Sequence, residues 1–173
     1  MIETQRLVIS EMSLRDIEEA RALHNHPETL KWLSDTHEVT KDEQLQWFES
    51  LQSSSFSKRF ISREKSDNTL IGVFRLDRLD KRNSSAEVGL DVSYQFRRKG
   101  FAREIYEALI PYFFNEISLH RLSLITLDNN LPAIQLYESL GFKREGILRD
   151  VLKRDTNFVN AIQFSLLESE FKI

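Results

Sequence analysis

The chain has 173 residues, of which 40% are hydrophobic and 29% charged, and it carries a formal net charge of −3 at pH 7 with no cysteine. This size and composition predict a single domain over residues 1–173 with a buried core, and the lack of cysteine excludes disulfides, thiolate metal sites and cysteine nucleophiles. The mild acidity argues against a nucleic-acid partner, because such proteins need a basic face that neutralises many phosphates.

The first third of the chain has the pattern of one short strand followed by helices. The strand is RLVIS, and the first helix is SLRDIEEARALHN, where Ser13 is placed to cap the helix and Asp16 lies three residues later. A short helical piece, PETLKWLS, begins at a proline. The segment TKDEQLQWFESL repeats the capping pattern with Thr40 and Glu43. Helices therefore separate the first strand from the rest of the predicted sheet.

Strand periodicity dominates the middle of the chain. The runs KRFISRE, TLIGVFRLDRL and SSAEVGLDVS are β-branched, aromatic or alternating, and the polar turn DKRNSS joins the last two. Such runs predict an antiparallel meander of three strands.

The last part of the chain alternates helices and strands. After Gly100, apolar residues three to four apart predict a helix through FAREIYEALIPYFFNEI, with a kink at Pro111 because proline lacks an N–H donor. RLSLITL predicts a strand, LPAIQLYESL a helix that Gly141 ends, and GILRDVLK with FVNAIQFSLLE a closing pair of strands. The element order predicts a mixed α+β domain.

The turn YQFRRKG, residues 94–100, concentrates positive charge in an acidic chain. Arg97, Arg98 and Lys99 run into Gly100, and a helix is predicted to begin directly afterwards. The first N–H groups of a helix lack intrahelical partners and lie at the positive end of its dipole, so they can hold a phosphate that glycine allows to approach closely. A solvated charge run before an ordinary helix explains the turn equally well. The nucleotide motifs G-x-x-x-x-G-K-[ST] and G-x-G-x-x-G are absent.

Two motifs in register help to decide between a phosphate-binding turn and a solvated charge run. RRKGFA matches the pattern [R/Q]-x-x-G-x-[G/A] at Arg97, Gly100 and Ala102, and LHRLSLITLDNNLPAIQLYESLGFKREG contains N-x-x-A followed by Y-E-x-x-G-F. Together with the strand AEVGLDVS, these motifs resemble the GNAT superfamily of acetyl-CoA-dependent N-acetyltransferases, within the branch of the RimJ/RimL and spermidine acetyltransferases. The likeness covers the whole chain in element order and residues 85–146 in detail, and it favours a phosphate cradle at the turn.

The resemblance implies a fold and a co-substrate. The expected fold is a mixed, mostly antiparallel sheet of six to seven strands, flanked by helices and splayed between the family's strands 4 and 5. The co-substrate would be acetyl-CoA, whose arm would enter this gap like an added strand beside the backbone of Leu90, Asp91 and Val92. Asn130 would contact the same arm, and a helix N-cap explains this asparagine equally well. The residues expected at the phosphates are Arg97, Arg98, Lys99, Gly100, Phe101 and Ala102.

Two residues are candidates for the catalytic groups. Strand alternation places Glu87, Gly89 and Asp91 on one face, and the resemblance implies that Glu87 is a general base that accepts the amine proton through water. A surface carboxylate in a salt bridge is the equally open alternative. By the same resemblance, Tyr137 is a general acid beside the sulfur. Its alternative, a core aromatic, is compatible with that role, because a tyrosine can bury its ring and present its hydroxyl.

The sequence leaves the amine acceptor open. The family implies direct attack of a primary amine on the thioester, and a polyamine, a nucleotide-linked aminosugar and a protein N-terminus all qualify; Glu28, Asp35 and Glu38 mildly favour a small cation. A non-catalytic acyl-CoA sensor or protein-interaction module on the same fold is the alternative from a different class. The presence of both Glu87 and Tyr137 argues against it.

The remaining expectations concern metals, partners and location. The histidines of HNHP lie two apart, where helical side chains point to different faces, so no metal site is expected. No apolar run approaches the roughly 20 residues needed to cross a membrane, and MIETQRLVIS lacks the layout of a secretory signal. We therefore expect a cytoplasmic protein without a membrane partner. Dimers are common in the resembled branch, so a homodimer is left open.

Overall fold

The computed structural model describes residues 1–172 and places eight strands in one mixed sheet. The strands are β1 (Ile2–Glu3), β2 (Leu7–Glu11), β3 (Lys58–Glu64), β4 (Leu70–Asp80), β5 (Ser85–Val92), β6 (Arg121–Leu127), β7 (Lys143–Arg154) and β8 (Asn157–Leu167). Their order across the sheet is β1-β2-β3-β4-β5-β6-β8-β7. All neighbours are antiparallel except β5 and β6, which are parallel.

Helices cover both faces of this sheet. They are α1 (Ile17–Asn25), α2 (Pro27–Leu30), α3 (Lys41–Ser53), α4 (Phe101–Pro111) and α5 (Leu131–Ser139). The predicted α+β architecture is confirmed. The sheet has one strand more than the predicted six to seven, because β1 contains two residues, too few to produce a recognisable period.

The Thr40 site has both hydrogen bonds of a capping box, and the Ser13 site has the bond from the Ser13 backbone to the Asp16 carboxylate. The backbone N–H of Ser13 donates to the Asp16 carboxylate at 2.9 Å. The N–H of Thr40 donates to the Glu43 carboxylate at 2.8 Å, and the N–H of Glu43 donates to Thr40 Oγ1 at 3.3 Å. Such bonds satisfy N–H groups that have no partner within the helix. Local sequence therefore sets where these two helical segments begin.

Apolar side chains fill the space between the sheet and the helices on each face. The core under α4 and α5 includes Phe74, Leu76, Ile105, Tyr106, Phe113, Leu122 and Phe164. The smaller core under α1 and α3 includes Met12, Leu23, Phe48, Ile61 and Val73. Adjacent residues of β4 belong to different cores because strand side chains alternate between faces. The strands beside the candidate site are thus held from both sides.

The sheet opens between its two parallel strands. β5 and β6 pair at Ser85, Ala86 and Glu87, opposite Arg121 to Ser123, and no pair follows. Beyond that point β5 continues to Val92 and β6 to Leu127 along edges that do not meet. The separation predicted for these strands is confirmed. It leaves backbone donors and acceptors on the facing edges available to another extended chain.

The helices show one irregularity. The regular part of α4 ends at Pro111 and continues as a π-helical stretch, Tyr112–Glu116, at the place where a kink was predicted. Proline has no N–H to donate and crowds the preceding turn, which explains the change of helix type. Among residues 1–172, every helix falls short of the length and hydropathy that a membrane span requires.

Candidate active site

The turn that precedes α4 has an unusual backbone shape. Arg98 has a φ of 60° and Gly100 a φ of 82°, both in the left-handed region, and the regular helix begins at Phe101. Side chains other than glycine seldom adopt this conformation, so the surroundings hold the turn in shape. Turns of this kind can direct successive N–H groups to one side, where an anion binds.

A row of unused hydrogen-bond donors runs through this turn. The backbone N–H groups from Arg98 to Arg103 donate no hydrogen bond to any atom of residues 1–172, and the first bond of α4 joins the N–H of Glu104 to the Gly100 oxygen at 3.1 Å. Arg98 and Lys99 are exposed beside the row, whereas the Phe101 ring is buried. Free donors at the positive end of a helix fit the oxygens of a diphosphate. The geometry therefore supports a phosphate cradle over a plain charge run.

Arg97 differs from the other residues of the basic turn, because its side chain is already engaged. Its Nε donates to the Val92 oxygen at 3.1 Å, its Nη1 to the Glu28 oxygen at 2.7 Å and its Nη2 to Thr29 Oγ1 at 3.2 Å. The Arg97 N–H donates to the Tyr94 oxygen at 3.2 Å, and burial lowers the pKa of the guanidinium. In this arrangement Arg97 ties the turn to α2. The predicted phosphate contact would require these bonds to break.

Arg6 contacts the turn in a way that sequence reasoning missed. Its Nη1 donates to the Lys99 oxygen at 3.0 Å, its Nε donates to the Glu104 carboxylate at 2.6 Å, and its Cζ lies 4.0 Å from the centre of the Phe101 ring. A Cβ atom on Gly100 would lie 3.5 Å from Arg6 Nη2. Arg6 therefore fixes the turn from the far end of the sheet and adds positive charge. A lone arginine before a strand has no pattern that could have revealed this.

The residues predicted to contact the cofactor arm belong to two places, the open edge of β5 and the segment that precedes α5. Leu90, Asp91 and Val92 pair with β4 on one side and have no strand partner on the side of β6. Asn130 precedes α5, and its side chain makes no capping bond. The structure gives no support to the N-cap explanation of this asparagine, and leaves its amide available to a ligand.

Glu87 lies at the point where the two parallel strands separate. Its Oε2 accepts a hydrogen bond from Arg78 Nη1 at 2.7 Å, and its side chain is 30% exposed. Arg78 has a φ of 50° and belongs to a bulge in β4 that shifts the register after Asp77. Bulges turn side chains toward neighbouring strands. The ion pair considered as the alternative for Glu87 is therefore present, and a pair this exposed contributes little stability and is easily exchanged for water.

Tyr137, the residue predicted to be a general acid, has a buried ring. The residue is 8% exposed, and its ring centroid lies 5.7 Å from that of Tyr106 and 5.9 Å from those of Phe142 and Phe164. Burial raises the pKa of the Tyr137 hydroxyl, while the neighbouring Tyr106 and the charge of Arg75 lower it by smaller amounts. The hydroxyl is therefore protonated at neutral pH and able to donate.

Arg75 is a second residue that sequence reasoning missed. It lies directly opposite Gly89 in the pairing of β4 with β5, and a Cβ atom on Gly89 would lie 2.5 Å from Arg75 Nη2. Only a glycine leaves room for the guanidinium at this place. The alternation of FRLDRL, which puts Arg75 and Asp77 on the face opposite Phe74 and Leu76, was the available signal.

Two of the three acidic residues expected to hold a cationic acceptor, Glu28 and Asp35, have partners of their own. Glu28 forms an ion pair with Lys31, and the carboxylate of Asp35 accepts a hydrogen bond from the His37 N–H at 2.9 Å. The Lys31 ammonium lowers the pKa of Glu28 through its hydrogen bond. The charge of Glu28 is thus largely matched by its neighbour.

Known proteins share this arrangement of elements. Residues 6–143 match the family described as acetyltransferase (GNAT) domain. The uncharacterized N-acetyltransferase p20 of Bacillus licheniformis is 31% identical over 97% of this chain and 96% of its own length, and the spermidine N(1)-acetyltransferase of Vibrio cholerae is 26% identical over 94% and 96%. A crystal structure of spermidine N-acetyltransferase from Vibrio cholerae with CoA and spermine matches 96% of this chain and 98% of its own, with a TM-score of 0.90 at 22% identity. That level of identity shows the common fold.

Proposed function

Since this chain belongs to the GNAT acetyltransferase family and is an acetyl-CoA-dependent N-acetyltransferase, we propose that it acetylates a small primary amine by direct attack on the thioester. The observation that carries the proposal is the row of free N–H donors from Arg98 to Arg103 next to the open edge of β5. A diphosphate on the row would place an attached arm along that edge. With no cysteine in the chain, a thioester intermediate on the enzyme has no residue to carry it.

The cradle and the strand edge supply the binding groups in this proposal. Backbone donors of Arg98, Lys99, Gly100, Phe101 and Ala102 hold the phosphates, with the side chains of Arg98 and Lys99 adding charge. The β5 backbone at Leu90 to Val92 holds the amides of the arm, and Asn130 contacts the arm from the other side of the gap. When bound, acetyl-CoA supplies the activated acetyl group.

Two side chains move protons in the proposed reaction. Glu87 accepts a proton from the attacking amine through a water, because an alkyl amine with a pKa near 10 is mostly protonated at neutral pH. The new C–N bond forms as the C–S bond breaks, and Tyr137 donates its proton to the departing sulfur. Solvent then reprotonates Tyr137 and takes two protons, the one held by Glu87 and the second one that the nitrogen loses as the amide forms. Protons and electron pairs balance without any further reactant.

The proposal also includes the domain organisation, family branch, cellular location and acceptor class of the enzyme. We infer that residues 1–173 form a single catalytic domain, since one sheet runs through residues 2–167. The turn RRKGFA supports a place in the RimJ/RimL branch, and a co-substrate drawn from central metabolism supports a cytoplasmic location. The name of the Vibrio cholerae relative supports a small amine as acceptor.

The first test is acetyl-CoA-dependent thiol release with a panel of amines that includes polyamines, amino acids, nucleotide-linked aminosugars and short peptides. We expect turnover with at least one class of small amine and none with peptides. Thermal stabilisation by acetyl-CoA without turnover of any amine would support the non-catalytic acyl-CoA-binding function instead.

Glu87→Gln is expected to lower kcat/KM at neutral pH by about 100-fold, as the loss of a general base does. The substitution keeps the size of the side chain and removes the proton acceptor, so the acidic limb of the pH-rate profile should disappear as well. The profile from pH 5 to pH 10, with the acceptor below its KM, measures both effects.

Glu107→Gln is the matched control, because Glu107 is an exposed glutamate of α4 whose ion pair with Arg103 lies on the protein surface. Its profile should match that of the unmodified enzyme. If Glu87→Gln keeps the original acidic limb, Glu87 is a salt-bridge residue and another group accepts the proton.

A further inference from the structure

Arg75 has a guanidinium without a hydrogen-bond partner. Among residues 1–172, none of its N–H groups is within hydrogen-bonding geometry of an acceptor, and its nearest carboxylate oxygen, Asp91 Oδ2, is 3.8 Å from Nη1. That distance is too long for a hydrogen bond. The side chain is nevertheless only 39% exposed. Its N–H donors reach solvent, since none of them is among the buried side-chain atoms of residues 1–172 that lack a partner, and they are therefore available to a ligand.

Other arginines that reach this face of the sheet are already paired; Arg63, for example, forms ion pairs with Asp16 and Glu19. Arg59 donates to the Asp77 carboxylate at 2.7 Å, and Arg78 donates to Glu87 at 2.7 Å. Each of these pairs has the short distance of a charge-assisted hydrogen bond. Arg75 is therefore distinguished from its neighbours by the lack of such a bond.

The position of Arg75 relates it to the reacting groups. Its guanidinium lies over Gly89, two residues beyond Glu87 on the same face of β5, which places it about 7 Å along the strand from the proposed base. On the other side, its positive charge is close enough to lower the pKa of Tyr137, although burial raises that pKa by more. Arg75 thus lies on the same face of the sheet as the proposed general base and two residues along the strand from it.

Along β5, two carboxylates flank the place where the Arg75 guanidinium lies, whereas its direct partner in β3 is Arg59. Asp91 and Glu87 lie on either side of Gly89 along β5, and both carboxylates face the same side of the strand as the guanidinium. A polycation would meet the positive charge of Arg75 in the middle of this row. A ligand with an ammonium group and an anionic oxygen group a few bonds apart would match the row.

We propose that the acceptor of this enzyme carries an anionic oxygen group, a carboxylate or a phosphate, a few bonds from its amine, and that Arg75 binds this group and determines acceptor specificity. The inference rests on the proposed amine acetylation and names its substrate class. The fork of N–H donors on a guanidinium suits the paired oxygens of such groups. Acceptors of this class include amino acids and amino phosphates.

The test measures kcat/KM for matched pairs of acceptors with thiol release as the readout. Each standard L-amino acid is paired with its decarboxylated amine, and phosphoethanolamine is paired with ethanolamine; spermidine and a tripeptide complete the set. The anionic member of at least one pair should be preferred by about 100-fold, the loss expected when a charge-assisted pair cannot form. Preference for the amino acid or for the phosphate identifies the group.

Variants assign the preference to Arg75. Arg75→Gln should raise the acceptor KM by about 100-fold and abolish the preference, and Arg75→Lys should retain part of it because the charge remains without the fork. Gly89→Ala should have a similar effect on the acceptor KM, since its Cβ displaces the guanidinium. All three should leave the KM for acetyl-CoA unchanged. Arg82→Gln, in the exposed turn before β5, is the control.

The outcomes separate the two proposals. If amines turn over but the neutral member of each pair, spermidine or the tripeptide is used as well as any anionic acceptor, the inference about Arg75 is wrong and the amine acetylation stands. If Arg75→Gln lowers kcat with all acceptors and leaves their KM values unchanged, Arg75 acts on the thioester and the inference is also wrong. If no amine is acetylated, both proposals fail together.

Discussion

Gly100→Val should raise the KM for acetyl-CoA by about 100-fold, because it removes charge-assisted hydrogen bonds to the phosphates. The φ of Gly100 is 82°, and a β-branched residue is strained in this region, so the turn must change shape. Even a modest change redirects the N–H groups of the row from Arg98 to Arg103. The acceptor KM should stay within a few-fold of its original value, since Gly100 lies away from the β5 face that carries Glu87.

Gly146→Val is the matched control for the effect of Gly100→Val on the KM for acetyl-CoA. Gly146 lies in β7, its φ is not in the left-handed region, and no atom of residues 1–172 lies within 4 Å of an added Cβ. This variant should bind acetyl-CoA normally. Calorimetric titration with CoA measures the affinity directly, and thermal melting shows that both variants are folded. An unchanged CoA affinity in folded Gly100→Val would contradict the cradle.

Tyr137→Phe should lower kcat by about 100-fold to 1,000-fold, which is the range for the loss of a general acid. The substitution keeps the ring contacts with Tyr106, Phe142 and Phe164, so the folded state should be retained. Burial raises the pKa of the hydroxyl above its usual value of about 10. The hydroxyl stays protonated up to that value, and the loss of rate should therefore be the same at every pH from 6 to 9.

Tyr106→Phe is the control for the tyrosine hydroxyl. Tyr106 is 0% exposed, and its hydroxyl has no hydrogen-bond partner among residues 1–172. Because the Tyr106 hydroxyl is fully buried and changes the pKa of Tyr137 by less than burial does, removing it should leave kcat within a few-fold. Steady-state kcat and the melting temperature are measured for both Tyr137→Phe and Tyr106→Phe. Normal turnover of Tyr137→Phe would show that the leaving sulfur needs no proton from this residue.

Some residues of the candidate site can be predicted from local sequence patterns, whereas their partners in the structure cannot. The basic turn was recognised because a glycine before a helix and three cations are adjacent in the chain. Glu87 and Tyr137 were recognised through the resemblance of their surrounding motifs. Their partners in the structure, Arg78 for Glu87 and the aromatic rings around Tyr137, belong to other elements. A pattern read along one strand or one helix contains no information on such partners.

Arg97 shows how tertiary contacts change the role of a motif residue. The sequence placed it among the phosphate contacts because it stands in the motif RRKGFA. In the structure its guanidinium bonds to Glu28 and Thr29, 69 and 68 residues away in the chain. Arg6 shows the reverse, since a residue with no motif reaches Lys99 across 93 positions. Hydrogen bonds over these separations depend on how the sheet and helices pack.

The amino-acid sequence was sufficient for the elements, their order and the family, because apolar periods, capping residues and turn glycines act within a few residues of one another. It was also sufficient for the position of the basic turn, which directly precedes the start of one helix. The folded structure was needed for the open edge between β5 and β6, for the partners of Arg6 and Arg97, and for the guanidinium of Arg75, which lies over Gly89 without a hydrogen-bond partner among residues 1–172. These features arise from strand register and from contacts between distant elements, which are settled only when the whole chain packs.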